Sequence, residues 1–302
     1  MTSPSNAQPK AVVIVLTFNS DASVARVIES CRPLSSRTLV VDSGSTDGTV
    51  EIARAMGCEI VSHPFENYSQ QRNWAQEHAG LAPDAWVLHV DSDEVVSREL
   101  AASLQAAMAG GEAGVDGYLV QRLSHFLGHP IRYGHINPSW HLRLFRAGRG
   151  YCEHRLYDQH FVVPGQTRRL KGLLLDLQLT SLEAWTAAHN RWSTAEAREV
   201  LAQRRGEAGD GGGQLQASLR GDIRMKKRWL KNNVWYKTPL MARPLLFFLY
   251  TYFLRLGFLD GKAGLVYHVL QAFWFRFLVD AKLYEAQLEA QAASTVPEEA
   301  HR

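Results

Sequence analysis

Two aspartates separated by one residue are the side chains in this sequence best placed to do chemistry. Asp91 and Asp93 follow the apolar run from Trp86 to Val90. In an extended chain, side chains two residues apart share one face, so the two carboxylates converge. Carboxylate oxygens suit Mg²⁺ or Mn²⁺, and such an ion beside a diphosphate neutralises charge on a departing group. Asp-x-Asp alone is common, and an acidic loop after a strand is the alternative.

A third carboxylate stands at the end of an earlier apolar run. Asp42 closes the segment 38–42 and precedes the turn SGSTDG at 43–48. A carboxylate there can accept the N–H of a pyrimidine base, and the turn offers backbone N–H donors and a helix N-terminus to a phosphate. Taken singly, Ser, Asp and Gly are also what an ordinary capped turn contains.

The elements that must position these side chains alternate between strand and helix. Apolar runs at 11–16, 38–42, 58–61 and 86–90 are separated by segments with helical spacing. Such alternation predicts an α/β fold with a parallel sheet and right-handed crossovers. The carboxyl ends of these strands carry Asn19, Asp42 and Asp91. In an open α/β sheet ligands bind at that edge, which places the site there.

The chain of 302 residues exceeds the usual size of one compact domain. We expect a disordered tail at 1–10, an α/β domain at 11–205, a flexible linker at 206–213 and a helical region at 214–302. The linker prediction rests on the sequence GEAGDGGG, which follows a helical pattern running from about 181 to 205.

Charge is spread unevenly along the chain. The net charge is only +3, which does not suggest a nucleic-acid partner, but ten Lys or Arg stand against two Asp between 220 and 262. Apolar blocks such as PLLFFLYTYFL at 244–254 adjoin these cations and are shorter than the ~20 residues of a spanning helix. Helices lying on an anionic membrane surface are the favoured interpretation. An ordinary helical subdomain with its aromatics inside is the alternative.

The cysteines and the N-terminus bear on the compartment. Cys31, Cys58 and Cys152 are odd in number and lack metal-ligand spacing, so we expect no disulfide framework. The first ten residues lack the apolar segment of a secretory signal. The expected location is the cytoplasm, peripheral on the inner face of the cell membrane.

Four ordered motifs resemble those of family-2 glycosyltransferases, in particular the branch that acts on lipopolysaccharide core and other cell-envelope glycans. They are TFN at 17–19, VVDSGSTDGT at 40–49, QRNWA at 71–75 and HVDSDE at 89–94. The likeness is specific over 11–110, looser over 140–200, and returns in GFLDG at 257–261. It implies a GT-A fold and inverting transfer of a sugar from a nucleotide-sugar to a lipid-linked or lipopolysaccharide-type acceptor, with Mn²⁺ or Mg²⁺. UDP-hexose is the expected donor, while thymidine and guanosine sugars remain open.

The resemblance also assigns roles to positions along the strand ends. The residues it implies for the nucleotide-sugar and metal are Thr17, Phe18 and Asn19 around the base, Asp42 bonded to the base, Asp47 and Arg72 near the nucleotide or diphosphate, Asp91 at the ribose and metal, and Asp93 on the metal.

An inverting transferase needs a carboxylate that deprotonates the acceptor hydroxyl. Relatives carry an acidic residue in a loop after the segment matching HLRLFR at 141–146, where this chain offers Glu153 and Asp158. We favour Asp158, with His154 and His160 as candidates for a metal ligand or proton relay. This chain lacks the Glu-Asp pair that would decide the choice.

Rival classes fit the sequence less well. A sugar nucleotidyltransferase usually has a glycine-rich loop after its first strand, and a Rossmann dehydrogenase or methyltransferase needs G-x-G-x-x-G there. This chain has TFN at that place. A catalytically inactive nucleotide-binding scaffold of a membrane-associated glycan assembly complex is the remaining alternative, and the intact Asp42, Asp91 and Asp93 argue against it.

Overall fold

A computed structural model of the protein describes residues 9–112, 114–155, 157–206 and 214–295. The predicted tail up to residue 8 and residues 207–213 of the predicted linker lie outside the described residues. The strands are β1 (Ala11–Thr17), β2 (Ser35–Asp42), β3 (Glu59–Ser62), β4 (Trp86–Asp91), β5 (Glu94–Val96), β6 (Val115–Phe126), β7 (His129–Pro130), β8 (Ser139–Arg146), β9 (Tyr151–Cys152), β10 (Phe161–Val162) and β11 (Gln166–Asp176). The α-helices are α1 (Val24–Cys31), α2 (Thr49–Ala55), α3 (Tyr68–His78), α4 (Arg98–Ala109), α5 (Leu182–Arg204), α6 (Ile223–Asn233), α7 (Ala242–Leu249), α8 (Gly261–His268) and α9 (Phe275–Thr295).

The first four strands form the parallel half of the sheet. Their order is β3-β2-β1-β4, and each adjacent pair is parallel. The central strand β1 is apolar almost throughout because helices cover both of its faces. Val13 and Val15 belong to the core cluster shared with α1, α2 and α4, whereas Ile14 belongs to the cluster shared with α3. The predicted α/β fold class is confirmed.

The second half of the sheet curls back on the first. Beyond β4 the order continues β8-β6-β11-β5, with antiparallel pairs at β4–β8, β8–β6 and β11–β5. In the chain, only Ser92 and Asp93 separate β4 from β5. In the sheet, β4 is an inner strand and β5 is the last strand of the order. The strands between them must therefore bend into a partly closed surface, and the Ser92–Asp93 turn spans its opening.

The C-terminal helices share a core with the α/β part. Ala197 and Val200 of α5 pack with Phe275, Val279 and Leu283 of α9. Trp185 and Trp192 pack in the hydrophobic clusters of this region. Helices α5 and α9, on either side of the predicted linker, therefore share one hydrophobic cluster.

Several of the cations counted in the basic segment are used inside the protein. Arg243 forms a fully buried ion pair with Asp280, and Arg224 and Arg228 are likewise buried. The cations in this segment that stay exposed are Arg220, Lys226, Lys227, Lys237, Arg255 and Lys262. Within the described residues, no helix has the length and apolarity needed to cross a membrane.

A buried histidine in this helical core gives the fold a predicted sensitivity to acid. His189 is 4% exposed, stacks on Trp185, and its Nδ1 lies 2.8 Å from the Trp185 carbonyl oxygen. Burial lowers the pKa of His189 to about 4. Because the unfolded chain binds this proton near pH 6.5, the stability is complete above that pH and is lost as the pH falls toward 4.

We expect acidification from pH 7 to pH 5 to cost about 2 kcal/mol of unfolding free energy through His189 alone. Urea unfolding at the two pH values measures this loss. The variant His189→Gln, which carries no titrating ring, should show a correspondingly smaller drop. His129→Gln at an exposed site is the matched control and should keep the full drop. Equal drops in wild type and His189→Gln would contradict the assignment.

Candidate active site

The ends of three parallel strands bring the predicted carboxylates to one edge of the sheet. Thr17 of β1 pairs in register with Asp42 of β2, and Leu16 pairs with Asp91 of β4. The turns that follow are joined across this edge, since the hydroxyl oxygens of Ser20 and Ser92 lie 2.7 Å apart. Asp42, Asp91 and the adjacent Asp93 therefore border the same end of the sheet.

Asp42 organises the turn that follows its own strand. Its carboxylate accepts hydrogen bonds from the Thr17 hydroxyl at 3.1 Å, from the Gly44 and Ser45 backbone N–H groups at 3.0 and 2.9 Å, and from the Ser45 hydroxyl at 2.5 Å. These four bonds fill the acceptor sites of a carboxylate. Gly44 has φ +90°, a conformation that glycine adopts without strain.

Phe18 and Asn19 stand beside this turn. The Asn19 side-chain oxygen accepts from the Thr46 N–H at 2.9 Å, and the Asn19 N–H donates to the Ser45 hydroxyl at 2.9 Å. Phe18 is 59% exposed, so its ring is open to a ligand. The loops after β1 and β2 thus hold each other in place and leave one aromatic face uncovered.

Asp47 has a structural task in the same turn. Its carboxylate accepts from the Thr49 N–H and hydroxyl at 3.0 and 2.5 Å and from the Asp21 N–H at 3.2 Å. Burial opposes ionisation, but the bonds from Thr49 outweigh it and hold the pKa of Asp47 below its usual range. Asp47 therefore fixes the start of α2 against the β1 loop.

Asp91 is held by two guanidinium groups. Arg72 of α3 donates to its two carboxylate oxygens at 3.0 and 3.2 Å, and Arg143 of β8 donates to one of them at 2.8 Å. Burial alone would raise the pKa of Asp91, but Arg143 and Arg72 hold it well below its usual range. Asp91 is an anchored, ionised carboxylate.

A second layer of charges lies inside the curl of the sheet. Glu94 of β5 accepts from Arg143 at 2.5 Å and lies 3.7 Å from Arg122 of β6. Asp176, at the end of β11, lies 3.6 Å from Arg122 and accepts from the Ser124 hydroxyl at 3.0 Å. The arginines thus join β8, β6, β11 and β5 to the strand edge.

Asp93 differs from every carboxylate around it. Within the described residues, no hydrogen bond or ion pair to its side chain is present. Burial raises the pKa of Asp93 well above its usual range, and the nearby carboxylates of Asp176 and Asp91 raise it further. A half-buried carboxylate among like charges lacks a counter-ion, and a divalent cation is what the position suits.

The donor set fits a metal that a diphosphate also ligates. In the described parts of the chain, no three His, Cys, Asp or Glu side chains are arranged to hold a metal ion by themselves. Mg²⁺ is commonly bound by one or two carboxylates together with substrate phosphates. Asp93, with Asp91 beside it, offers that kind of partial site.

Arg72 connects this charge cluster to the loop that precedes β10. Its guanidinium lies 5.4 Å from the Phe161 ring and 5.5 Å from the Tyr68 ring. Its Nε is buried without a hydrogen-bond partner among the described side chains. The loop that carries Glu153 and Asp158 therefore borders the acidic cluster through Phe161.

Glu153 is fully enclosed and fully bonded. Its carboxylate forms two bonds with Arg228 of α6 at 2.5 and 2.7 Å and accepts from the backbone N–H groups of His160 and Leu215 at 2.9 and 3.0 Å. Burial opposes ionisation, but Arg228 holds the pKa of Glu153 below its usual range. These contacts are those of a group that ties the loop to α6.

Asp158 remains partly open. Its side chain is 37% exposed and lies 3.3 Å from the Lys231 amine and 3.7 Å from the His160 Nε2. Burial opposes ionisation, but Lys231 and then His160 hold the pKa of Asp158 well below its usual range. Arg228 also donates to the Asp158 backbone oxygen at 3.1 Å, so α6 positions the whole loop.

The two histidines of this loop have different surroundings. His160 accompanies Asp158, and burial lowers its pKa to about 4. His154 instead lines an open groove of about 440 Å³ beside Asn73, Gln76 and Tyr151. Asp42, Asp91 and Asp93 do not line this groove, so it is separate from the charge cluster.

Some residues of the site were not expected from the sequence. Arg143, Arg122 and Asp176 come from β8, β6 and β11, beyond the four motifs. Asp176 carried one detectable signal, since it is a carboxylate at the end of a long strand. Glu94 belongs to HVDSDE but had no assigned role.

The model of the family described as glycosyl transferase family 2 matches residues 12–167, more than half of the chain. The chain belongs to glycosyl transferase family 2. Family-2 membership agrees with the sheet order and the strand-edge site, and the protein is a glycosyltransferase with a GT-A fold.

Similar proteins align with nearly the whole chain. An uncharacterized glycosyltransferase of Rickettsia prowazekii is 24% identical over 95% of this chain and 90% of its own. A lipopolysaccharide core biosynthesis glycosyltransferase, LpsC, of Rhizobium meliloti is 24% identical over 90% of both chains.

Among solved structures, glucosyl-3-phosphoglycerate synthase of Mycobacterium tuberculosis, in complex with Mn²⁺, UDP and glucosyl-3-phosphoglycerate, is 24% identical with a TM-score of 0.32. That alignment covers 41% of this chain and half of the other.

Proposed function

We propose that this glycosyltransferase moves a hexose from a UDP-sugar to a lipid-linked or lipopolysaccharide-type acceptor, with inversion at the sugar carbon and with Mn²⁺ or Mg²⁺ bound at Asp93. The observation that carries this proposal is the arrangement at the strand edge. An anchored Asp91 stands beside a carboxylate, Asp93, that lacks any partner among the described residues. When bound, the metal ion would neutralise charge on the departing diphosphate.

The nucleoside would lie over the loops after β1 and β2. The exposed Phe18 ring offers a face for the base, and Thr17, Asn19 and Asp42 form the adjoining wall. For Asp42 to accept a uracil N–H, that donor would take the place of the Ser45 hydroxyl, because all four acceptor sites are filled. Asp47 contributes by fixing the turn, and Arg72, which holds Asp91, would lie near the diphosphate.

Asp158 is the proposed general base. It is ionised and partly exposed, whereas the Glu153 carboxylate is enclosed by Arg228 and backbone donors. In the reaction, the Asp158 carboxylate takes the proton of the acceptor hydroxyl while that oxygen forms a bond to the sugar carbon. The bond from the sugar carbon to the diphosphate breaks on the opposite side, and the nucleoside diphosphate leaves with the electron pair.

The class of acceptor is supported by similarity and by the surface of the protein. One relative is named as a lipopolysaccharide core biosynthesis enzyme. The C-terminal helices expose many apolar side chains together with exposed Lys and Arg side chains. Both features suit an acceptor at an anionic membrane surface, with the protein peripheral on the inner, cytoplasmic face.

A ligand-dependent thermal shift tests the donor and metal assignments. We expect UDP with Mn²⁺ to raise the melting temperature by about 5 °C at saturating concentrations, and EDTA to remove the effect. Thymidine and guanosine diphosphates under the same conditions identify the base. A panel of UDP-hexoses, assayed for nucleotide release, then identifies the sugar.

The scaffold alternative makes the opposite prediction about turnover. A scaffold would bind a nucleotide without releasing it from any donor sugar. If no nucleoside diphosphate shifts the melting temperature with either metal, and no donor is turned over, the proposed transferase function fails.

A further inference from the structure

The hairpin formed by α7, α8 and the segments around them has an inverted distribution of polarity. Inside it lie Arg243, at 1% exposed, and Thr251, at 0%. Outside it lie Leu246 at 57%, Phe253 at 53% and Leu254 at 76% exposed. A surface helix normally shows the opposite pattern, so an exposed apolar face of this kind marks a binding surface.

The exposed apolar side chains of residues 245–259 form one surface, which we call the apolar ridge. Residues 250–254 continue α7 as a π-helix, and residues 257–260 form a 3₁₀ turn before α8. α7 packs against the segment Val269–Trp274, and the 3₁₀ turn packs against α8, so the chain doubles back at the tip. Leu254 and Leu259, 76% and 52% exposed, lie at this tip.

Cations surround this tip, and its one carboxylate is occupied. Arg132, Arg255 and Lys262 are exposed next to it. Asp260 is the sole acidic residue between 234 and 275, and its carboxylate accepts from the Arg132 and Tyr133 N–H groups at 3.0 to 3.1 Å. The rim thus offers positive charge without a competing free carboxylate.

We propose that the apolar ridge inserts into the interfacial region of an anionic lipid leaflet, with Arg132, Arg255 and Lys262 on the lipid headgroups. Apolar burial and attraction to anionic lipid act together in such binding. Tyr133 and Tyr250, 38% and 43% exposed, are at the rim, where tyrosine suits the boundary between headgroups and acyl chains.

A second copy of the chain fits the ridge less well than a leaflet does. In a two-fold dimer the same patch meets itself, so the rim cations of one copy would face those of the other. An anionic leaflet instead supplies the opposite charge over the whole rim.

A lipid-linked acceptor would lie in the same leaflet that the ridge binds, and in this respect the inference rests on the proposed function. Helix α6 carries Lys231, whose amine lies 3.3 Å from the Asp158 carboxylate, and the exposed Lys227, which is within hydrogen-bond distance of the Pro138 carbonyl oxygen at 3.4 Å.

Vesicle binding by the full-length protein tests the proposal. We expect the protein to sediment with vesicles of phosphatidylethanolamine and phosphatidylglycerol, and to bind phosphatidylcholine vesicles on the order of tenfold more weakly. The double variant Phe253→Ser/Leu254→Ser should lower binding to the anionic vesicles by at least about tenfold. Tyr284→Ser/Leu288→Ser on α9, with side chains 51% and 47% exposed, is the matched control and should bind as wild type does.

Three results would overturn the proposal: no vesicle binding by the wild type, equal binding by the ridge variant, or a wild-type dimer that the ridge variant converts to a monomer. Sedimentation velocity without lipid detects the third. Vesicle binding needs neither donor nor acceptor, so the UDP thermal shift of the same variants separates the two inferences. A retained shift with lost vesicle binding supports the ridge, whereas a wild type without any shift counts against the transferase proposal alone.

Discussion

Replacing Asp93 by Asn is expected to lower sugar transfer by at least about a thousandfold while stabilising the protein in the absence of divalent cations. Asn has nearly the same shape but carries no charge, so the ligand for the metal is lost. The same change removes a carboxylate that burial and the neighbouring Asp176 and Asp91 disfavour. We expect a gain on the order of 1 kcal/mol in unfolding free energy with EDTA present.

Two measurements on Asp93→Asn check this result. Nucleotide release reports transfer, and thermal unfolding with and without Mn²⁺ reports stability. In the wild type Mn²⁺ with UDP should raise the melting temperature, and in the variant that increment should disappear. Asp84→Asn, at an exposed position in the turn before β4, is the control and should change neither quantity. Near-normal turnover by Asp93→Asn would remove the metal from the mechanism.

Replacing Asp158 by Asn is expected to lower kcat by a factor of about 10² to 10⁴ and to leave donor binding unchanged. The amide cannot take the proton of the acceptor hydroxyl. The loop should keep its place, because Arg228 holds it through Glu153 and through the Asp158 backbone oxygen, neither of which changes. Nucleotide release with an acceptor that supports wild-type turnover measures kcat, and the UDP thermal shift measures donor binding.

Glu153→Gln provides the contrast, since its expected defect is in folding. The change leaves the buried Arg228 guanidinium without a countercharge, which typically costs about 3–5 kcal/mol. Urea unfolding should show this loss in Glu153→Gln and only a small change in Asp158→Asn. A stable Glu153→Gln that has lost transfer, beside an active Asp158→Asn, would move the base to Glu153.

The strand edge that carries Asp42 and Asp91 was predictable because its signals are local. Each of the first four strands is a short apolar run that ends in polar residues, and parallel strands joined by helices align their ends. The structure extends the second strand back to Ser35 and places Thr17 in register with Asp42. Ser97 caps α4, where its side chain accepts from the Leu100 N–H at 3.2 Å.

The side chains that contact Asp91 and Glu94 from the second half of the sheet were not predictable in the same way. Arg143, Arg122 and Asp176 meet Asp91 and Glu94 only because β8, β6 and β11 pair in a particular register. A one-residue change of register would turn each of these side chains to the other face, and no local pattern fixes that choice. The buried ion pairs of Arg228 and Arg243 were not predictable either, because a basic run in a sequence usually faces solvent.

The clamp between α6 and the loop at 153–160 has a consequence for engineering acceptor choice. Arg228 and Lys231 belong to the C-terminal helices, while their partners Glu153 and Asp158 belong to the catalytic part. A chimera joined near residue 206 would separate these pairs and place foreign cations against a native loop. A crossover before residue 150 takes both sides of the clamp from one parent. To transfer acceptor specificity, the segment from this loop through α9 should therefore be exchanged as a whole.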